Sequence, residues 1–374
     1  MSHKVSLICM KVTSITAFLL FFQPLFAQNK WAELDQELQA KQKLLGTNVV
    51  AMIWTDTLVY KKEMGDFNTK TQAPIASCSK WLTAALIMQL VDEGKVSLDD
   101  KVGRWIPEFA RYGKSYITLR DCLSHMTGIE DEGGLLKKLF QRKKFDSLED
   151  EVNSFASREI RANPATDFWY GNIGLNIAGR IAEVATKKKF DILIKQKLFN
   201  PLGMRKTSFS TIDASAVNPS GGAISTAEDY MKFLVMLLNK GKYNGVQVIS
   251  ESSVDLMMKI YATSDKVKYA PKSAEGYGYA FGSWVVDVVL GDISFPGKKI
   301  TPLVPPPSED GLSQKKQVAT AFASPGLFGT WPMIDYCRGY AYLVFVKNFL
   351  GEERADVHRE LKKIIDKQIP STCL

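Results

Sequence analysis

The stretch from Pro74 to Gly94 reads P-I-A-S-C-S-K-W-L-T-A-A-L-I-M-Q-L-V-D-E-G and places Ser77 one helical turn before Lys80. Residues three apart on a helix share a face, so the hydroxyl and the amine can touch. A serine hydroxyl is a weak nucleophile near neutral pH, and a neighbouring amine that takes its proton activates it. Behind the pair, Trp81, Leu82, Ala84, Ala85, Leu86, Ile87, Met88, Leu90 and Val91 are apolar nearly all round, which predicts a helix buried in a core. Ser77 would then sit at the N-terminal end, where free N–H groups and the helix dipole favour developing negative charge. A second S-x-x-K, Ser313 to Lys316, lies in the polar run G-L-S-Q-K-K-Q with no apolar helix behind it, and reads as a loop.

Length and composition frame this pair. With 374 residues and 45% hydrophobic content, the chain can bury the core of one large domain or of two interwoven ones. The formal charge of +8 is modest for that length, and the basic runs Lys137 to Lys144 and Lys187 to Lys189 are soon interrupted by acids. They read as solvated helix faces, so no nucleic-acid partner is expected.

At the N-terminus, Lys4 and Lys11 precede the short apolar run Ile15 to Phe26, and Leu25-Phe26-Ala27 leads into polar residues. This is the pattern of a secretory signal over residues 1–27 with cleavage after Ala27, leaving 28–374 as an exported, periplasmic or secreted protein. A retained anchor is the alternative, but Gln23 and Pro24 interrupt a run already short for a span. Cys9 precedes the apolar run, so no lipid attachment site is read, and no later segment suits a bilayer crossing.

Cys78, Cys122, Cys337 and Cys373 are widely scattered, and the expectation is free buried thiols with no assigned pairing. No metal or cofactor is expected: the mature chain holds only His125 and His358, neither in a cluster with ligand spacing. A Ser-His-Asp mechanism would need one of them. His358 falls in an amphipathic C-terminal pattern and reads as a surface residue; His125, in C-L-S-H-M-T-G, reads as satisfying hydrogen bonds at a helix end. Lysine is the better base.

Along the chain, a helix at Lys30 to Lys43 is followed by strands at Asn48 to Trp54 and Leu58 to Met64. From Leu119 to Leu238 the pattern is mainly helical: Leu119 to His125, Leu135 to Phe140, Leu148 to Ala156, Asn172 to Thr186, Phe190 to Phe199 and Thr226 to Leu238. A short helix at Val254 to Tyr261 then gives way to strand patterns at Gly276 to Asp287, Gln317 to Ser324, Thr330 to Asp335 and Gly339 to Val346, closed by a helix at Glu352 to Lys367. The proline-rich stretch Lys298 to Lys316 reads as an exposed excursion. This order predicts an α+β fold: an antiparallel sheet built from both chain ends (28–76 and about 251–374), flanked by helices, with a mainly helical part (about 77–250) inserted between.

A-S-C-S-K at Ala76 to Lys80, Tyr170-Gly171-Asn172 and Ser324-Pro325-Gly326 follow one another in the order and approximate spacing of the class C branch of the serine β-lactamase-like hydrolases. The flanking runs I-T-L-R-D-C-L-S-H-M-T-G-I, F-N-P-L-G-M-R-K-T-S-F, S-G-G-A-I-S-T-A-E-D and G-Y-G-Y-A-F-G-S-W agree. The chain resembles that family, which includes β-lactamases, esterases, D-aminopeptidases and penicillin-binding proteins, over essentially its whole mature length. The resemblance implies the β-lactamase/transpeptidase-like fold and a small-molecule acyl substrate. It further implies that Ser77 forms an acyl-enzyme, that Lys80 and Tyr170 move its protons, and that Asn172 binds Lys80 or a substrate amide. The oxyanion would meet the backbone N–H groups of Ser77 and Leu327, with Gly326 allowing close approach. The third element departs from the pattern. Where β-lactamases carry lysine and many esterase-like relatives histidine, this chain has Ser324, so an ester, lactone or peptide-like amide without an obligatory carboxylate fits at least as well as a β-lactam. A catalytically weak scaffold that binds cell-wall fragments is the alternative reading.

Overall fold

The computed structural model describes residues 30–131, 145–209, 211, 215–290, 317–349 and 352–373, together with short strand pieces at 294–295 and 298–299. The signal sequence expected over residues 1–27, the helix expected at Leu135 to Phe140, the basic run after Lys137, the second S-x-x-K and nearly all of the proline-rich excursion lie outside the described residues.

After helix α1 (Ala32–Leu45), strands β1 (Val49–Trp54) and β2 (Leu58–Met64) form the expected hairpin. The remaining strands of the main sheet come from the other end of the chain: β3 (Gly278–Tyr279), β4 (Trp284–Leu290), β5 (Gln317–Ala323), β6 (Trp331–Asp335) and β7 (Tyr340–Val346). Their order is β2-β1-β7-β6-β5-β4-β3, and every pairing is antiparallel. The last strand therefore docks beside the first, with Val50 opposite Phe345 and Met52 opposite Leu343.

Side chains on a strand alternate between faces, and β1 and β7 use both. Val50, Met52, Ala341, Leu343 and Phe345 join one core, whereas Val49, Ala51, Ile53, Tyr342 and Val344 join another on the opposite face. The first core is shared with helices α2 (Ser79–Asp92), α3 (Leu119–Leu123), α4 (Leu148–Ala156), α5 (Ile173–Thr186), α6 (Ala227–Leu238) and α7 (Glu251–Met257). The second is covered by α1 and the C-terminal helix α8 (Glu352–Gln368) through Leu34, Leu38, Leu361 and Ile365. Burial on both faces explains why β7 is uniformly apolar instead of alternating.

Local chemistry sets the helix starts. Thr118 and Asp121 form a reciprocal capping box on α3, and Thr226 Oγ1 accepts from the Asp229 N–H at 3.1 Å at the start of α6. Ser250 caps α7, so that helix begins earlier than its apolar residues imply and ends at Met257 instead of reaching Tyr261. The single strand expected over Gly276 to Asp287 is broken by a turn at Ala280 to Ser283, where Gly282 adopts φ +75°.

Two expectations are overturned. Cys337 and Cys373 form a disulfide, with Cα atoms 5.1 Å apart, that ties the C-terminal tail to the β6–β7 turn; Cys78 and Cys122 are free and buried. Folding brings together residues that spacing alone could not pair. His358 is not on the surface: it is 2% exposed and stacks on Trp331 at 4.5 Å, because α8 lays that face on the sheet. Asp287, Asp335 and Asp366 lie within 4.8 Å of one another, and the Lys362 ammonium binds all three, at 2.6, 3.4 and 2.6 Å. No helix among the described residues is long and apolar enough to cross a membrane.

Candidate active site

Ser77 stands in a tight turn, Ala76–Cys78, that leads directly into α2. Every residue from Ser79 to Leu90 is buried, as the all-round apolar pattern predicts. The turn is held from several sides. Ile75 N–H donates to Ala223 O at 3.0 Å, Ser79 Oγ accepts from Ala223 N–H at 3.0 Å, and Tyr230 Oη donates to Cys78 O at 2.8 Å. Ala76, just before Ser77, adopts φ +45°, a backbone state costing about 1–2 kcal/mol for a residue with a β-carbon. The surrounding bonds hold the strained turn in place.

Lys80 is completely buried. Its Nζ donates to Ser77 Oγ at 3.1 Å, to Asn172 Oδ1 at 3.2 Å and to Ser220 O at 2.9 Å. These three oxygens fix the direction of Nζ and hold it against the Ser77 hydroxyl. Ser220 is a member of the site that the sequence did not reveal. It is fully buried, its N–H donates to Asn176 Oδ1 at 3.0 Å, and its Oγ donates to Asn172 O at 2.7 Å, so it fastens the Asn172 segment to the nucleophile helix. The signal was present in Pro219-Ser220-Gly221-Gly222, which reads as chain punctuation unless its carbonyls are followed to their donors.

Tyr170 enters from a short strand, Phe168–Trp169, paired in parallel with Val267–Tyr269. Its N–H donates to Tyr269 O at 3.1 Å. The Lys80 Nζ lies 4.9 Å from the centre of its ring. Burial pushes the Tyr170 phenol above its ordinary pKa, and its interaction with the Ser77 hydroxyl offsets part of that rise. The resting phenol is therefore neutral and able to donate. Around it stand Trp284 at 5.1 Å, His125 at 4.9 Å and Tyr279 at 6.1 Å between ring centres. His125 follows α3 as expected, but its side chain belongs to this aromatic wall.

The third element also packs against the Ser77 turn. A β-carbon on Gly326 would lie 2.2 Å from Ile75 O and 3.0 Å from Cys78 Sγ, so only glycine lets this segment run against the Ser77 turn. Leu327, next along, is partly exposed, and among the described residues no backbone carbonyl accepts from its N–H. Ser324 is 4% exposed and donates its hydroxyl to Gly282 O at 2.8 Å. Gly282 in turn packs on the first turn of α2, where a β-carbon would lie 2.7 Å from Lys80 O. At the place of the family cation, this chain has a structural link between β5, the β3–β4 turn and the nucleophile helix. All seven residues singled out from sequence thus gather around the start of α2: Lys80 touches Ser77 and Asn172 and lies over the Tyr170 ring, with Ser324, Gly326 and Leu327 alongside.

Comparison with known proteins identifies the family and the fold. The family model described as Beta-lactamase matches residues 31–367. Protein Rv1367c of Mycobacterium tuberculosis is 26% identical over 348 residues, covering 77% of this chain and 82% of that one. Penicillin-binding protein 4 of Amycolatopsis lactamdurans is 28% identical over 239 residues, 56% of this chain and 62% of its own. Esterase EstB of Burkholderia gladioli is 26% identical over 200 residues, about half of each chain (48% and 50%). Among solved structures, a β-lactamase-like protein of Bacteroides dorei superposes with a TM-score of 0.72 at 24% identity, covering 90% of this chain and 98% of that one. EstCE1, a hydrolase with promiscuous acyltransferase activity, superposes with a TM-score of 0.67 at 16% identity, covering 89% of this chain and all of its own. The α+β architecture is that of the β-lactamase/transpeptidase-like fold, and with the family match spanning nearly the whole chain, this protein belongs to the β-lactamase family of serine hydrolases and penicillin-binding proteins.

Proposed function

We propose that this chain is an exported serine hydrolase that cleaves small, neutral acyl substrates through an acyl-enzyme on Ser77. The observation that carries the reading is the 3.1 Å hydrogen bond between Ser77 Oγ and the buried Lys80 amine. Ser77 Oγ attacks the carbonyl carbon while its proton passes to Lys80 Nζ. The resulting oxyanion meets the N–H groups of Ser77 and Leu327. The neutral Tyr170 phenol donates its proton to the leaving group and recovers one from Lys80. Water then gives a proton to the same pair and attacks the acyl carbon, the acyl carbon–Oγ bond breaks, and Ser77 Oγ takes that proton back. Asn172 and Ser220 keep Lys80 Nζ aimed at the hydroxyl throughout.

The substrate class follows from Ser324. A charge-assisted hydrogen bond to a substrate carboxylate contributes about 1.5–3 kcal/mol, and Ser324 supplies neither the charge nor an uncommitted hydroxyl proton. Esters, lactones and uncharged amides lose nothing by that replacement, whereas a β-lactam loses its anchor. The same feature favours the second reading, a weakly catalytic scaffold that captures cell-wall fragments. Export rests on the signal-like N-terminus and is supported by the Cys337–Cys373 disulfide, a bond that persists in oxidising compartments.

Labelling with an activated fluorophosphonate, followed by turnover of nitrophenyl esters, nitrocefin and D-amino-acid amides, tests the proposal. Labelling lost in Ser77→Ala, with ester turnover exceeding nitrocefin turnover, is the expected result. No turnover and no acyl-enzyme mass increment on any of them would favour the scaffold.

A further inference from the structure

His125 is 4% exposed and adopts φ +57°, a left-handed backbone state that a residue with a β-carbon enters only when its surroundings hold it there. Its imidazole sits between two phenols. Nε2 lies 3.1 Å from Tyr279 Oη, and the ring centre lies 4.9 Å from that of Tyr170 and 5.7 Å from that of Phe168. The backbone repeats the connection: His125 O accepts from the Trp169 N–H at 3.0 Å, one residue before Tyr170. Tyr279 is itself buried, and its rings of contact include Trp284 at 4.8 Å and Phe168 at 4.9 Å.

We propose that His125, locked by Tyr279, is a positioning residue for Tyr170: it fixes the plane of the phenol so that its oxygen faces Ser77 and Lys80. The argument rests on geometry. A phenol held only by ring contacts can tilt, because aromatic packing is tolerant of angle. A hydrogen bond is not, so anchoring the imidazole at Nε2 sets the orientation of the ring face that Tyr170 leans on. His125 meets Tyr170 ring against ring, with the two planes tilted by 54°, while its Nε2 is held by Tyr279 Oη, so the anchored imidazole sets where the Tyr170 ring rests. Phenylalanine at 125 would fill the same volume but leave the Tyr279 hydroxyl buried without this partner. The role also explains why an imidazole occupies a strained position at the end of α3, where asparagine or glycine would suit the backbone better.

This inference builds on the reading of Tyr170 as the proton donor of an acyl-transfer site, and the test separates the two. Tyr279→Phe keeps both rings and removes only the hydroxyl; His125→Phe removes the other partner of the same bond. Each is expected to lower kcat on a nitrophenyl ester by about 10–100-fold with KM within about threefold, since a misplaced reacting group costs turnover rather than binding. The double variant is expected to be no worse than the worse single one, because both remove one interaction. In parallel, protein labelled with 13Cζ-tyrosine, with the Tyr170 signal assigned through Tyr170→Phe, reports the phenol without any turnover. That signal is expected to shift or broaden in Tyr279→Phe and in His125→Phe. An unmoved Tyr170 signal in folded Tyr279→Phe, or kcat within twofold of the parent, would overturn the positioning role. Should the parent turn over no acyl substrate at all, the proposed function fails while the resonance still decides whether His125 orients Tyr170.

Discussion

Gly171 has no room for a side chain: a β-carbon there would lie 1.9 Å from Asp131 Oδ2. The carboxylate of Asp131, 3.6 Å from the Arg158 guanidinium, fills the space beside the Tyr170-Gly171-Asn172 turn. Gly171→Ala must therefore displace either the carboxylate or the turn. Overpacking of this kind costs about 1–3 kcal/mol, and because Tyr170 and Asn172 flank the position, turnover is expected to fall together with Tm. Thermal melts alongside ester kinetics would check both. At Ser324 the opposite change is informative. Ser324→Lys places a cation where the relatives carry one, and nitrocefin turnover relative to a neutral ester is expected to rise by about tenfold or more, the worth of a charge-assisted contact. A ratio of the two kcat/KM values measures it independently of folded yield. Ser77 and Lys80 were legible from sequence by their spacing ahead of an apolar helix, and Tyr170 and Asn172 through the family resemblance. Ser220 and Gly171 were not, since one acts through its carbonyl and the other through the absence of a side chain.

Among the elements, α8 was visible in the alternation of Glu352–Gln368, yet the face it buries was misjudged. The pattern A-D-V-H-R-E-L-K-K-I-I places His358 beside the apolar stripe, and only the docked sheet reveals that Trp331 waits beneath it. Neither ring nitrogen of His358 has a hydrogen-bond partner among the described residues. Burial pushes its pKa from 6.5 down to about 3. The unfolded chain then binds a proton that the folded one refuses. The cost is absent well above pH 6.5 and grows as pH falls through the window from 6.5 toward 3. Near pH 4.5 it amounts to about 2–3 kcal/mol. His358→Leu is expected to retain a higher Tm than the parent between pH 4 and 5 while differing little at pH 7.5, and a pH series of thermal melts would show whether the gap opens on the acid side. The hairpin, α2, α5 and α6 were read nearly to their ends, from the strand formers of the hairpin, the all-round apolar run of α2, the apolar residues of α5 and the Thr226 cap of α6; β3 and β4 were merged because a turn made by Gly282 breaks an otherwise strand-like run.

On the scale of the whole molecule, the reading of a sheet assembled from both chain ends holds in detail, with β7 between β1 and β6. The order of strand and helix patterns was enough for that, because strands at the two ends must find partners and an inserted helical part leaves them only one another. The disulfide was out of reach for the same reason in reverse: a pairing over a sequence separation of 36 depends on where β6–β7 and the tail finish. In the chain-entropy account a loop of that size contributes about 3–4 kcal/mol. Cys373→Ser is expected to lower Tm by several degrees without changing the kcat of the parent, the site being on the other face of the sheet. Adding a reductant to the parent should erase the difference, and melts with and without it would show whether it does.

The placement of β7 also imposes a timetable. One of the two strands that pair with Val49–Trp54 is Ala341–Val346, so a growing polypeptide makes the Ser77 turn long before that neighbour of β1 exists. Long-range pairing of this sort closes late. A prematurely terminated product would hold Ser77 and Lys80 in sequence yet never set them side by side against Ser324–Leu327. The Ser77 turn thus waits for its surroundings on strands made long after it.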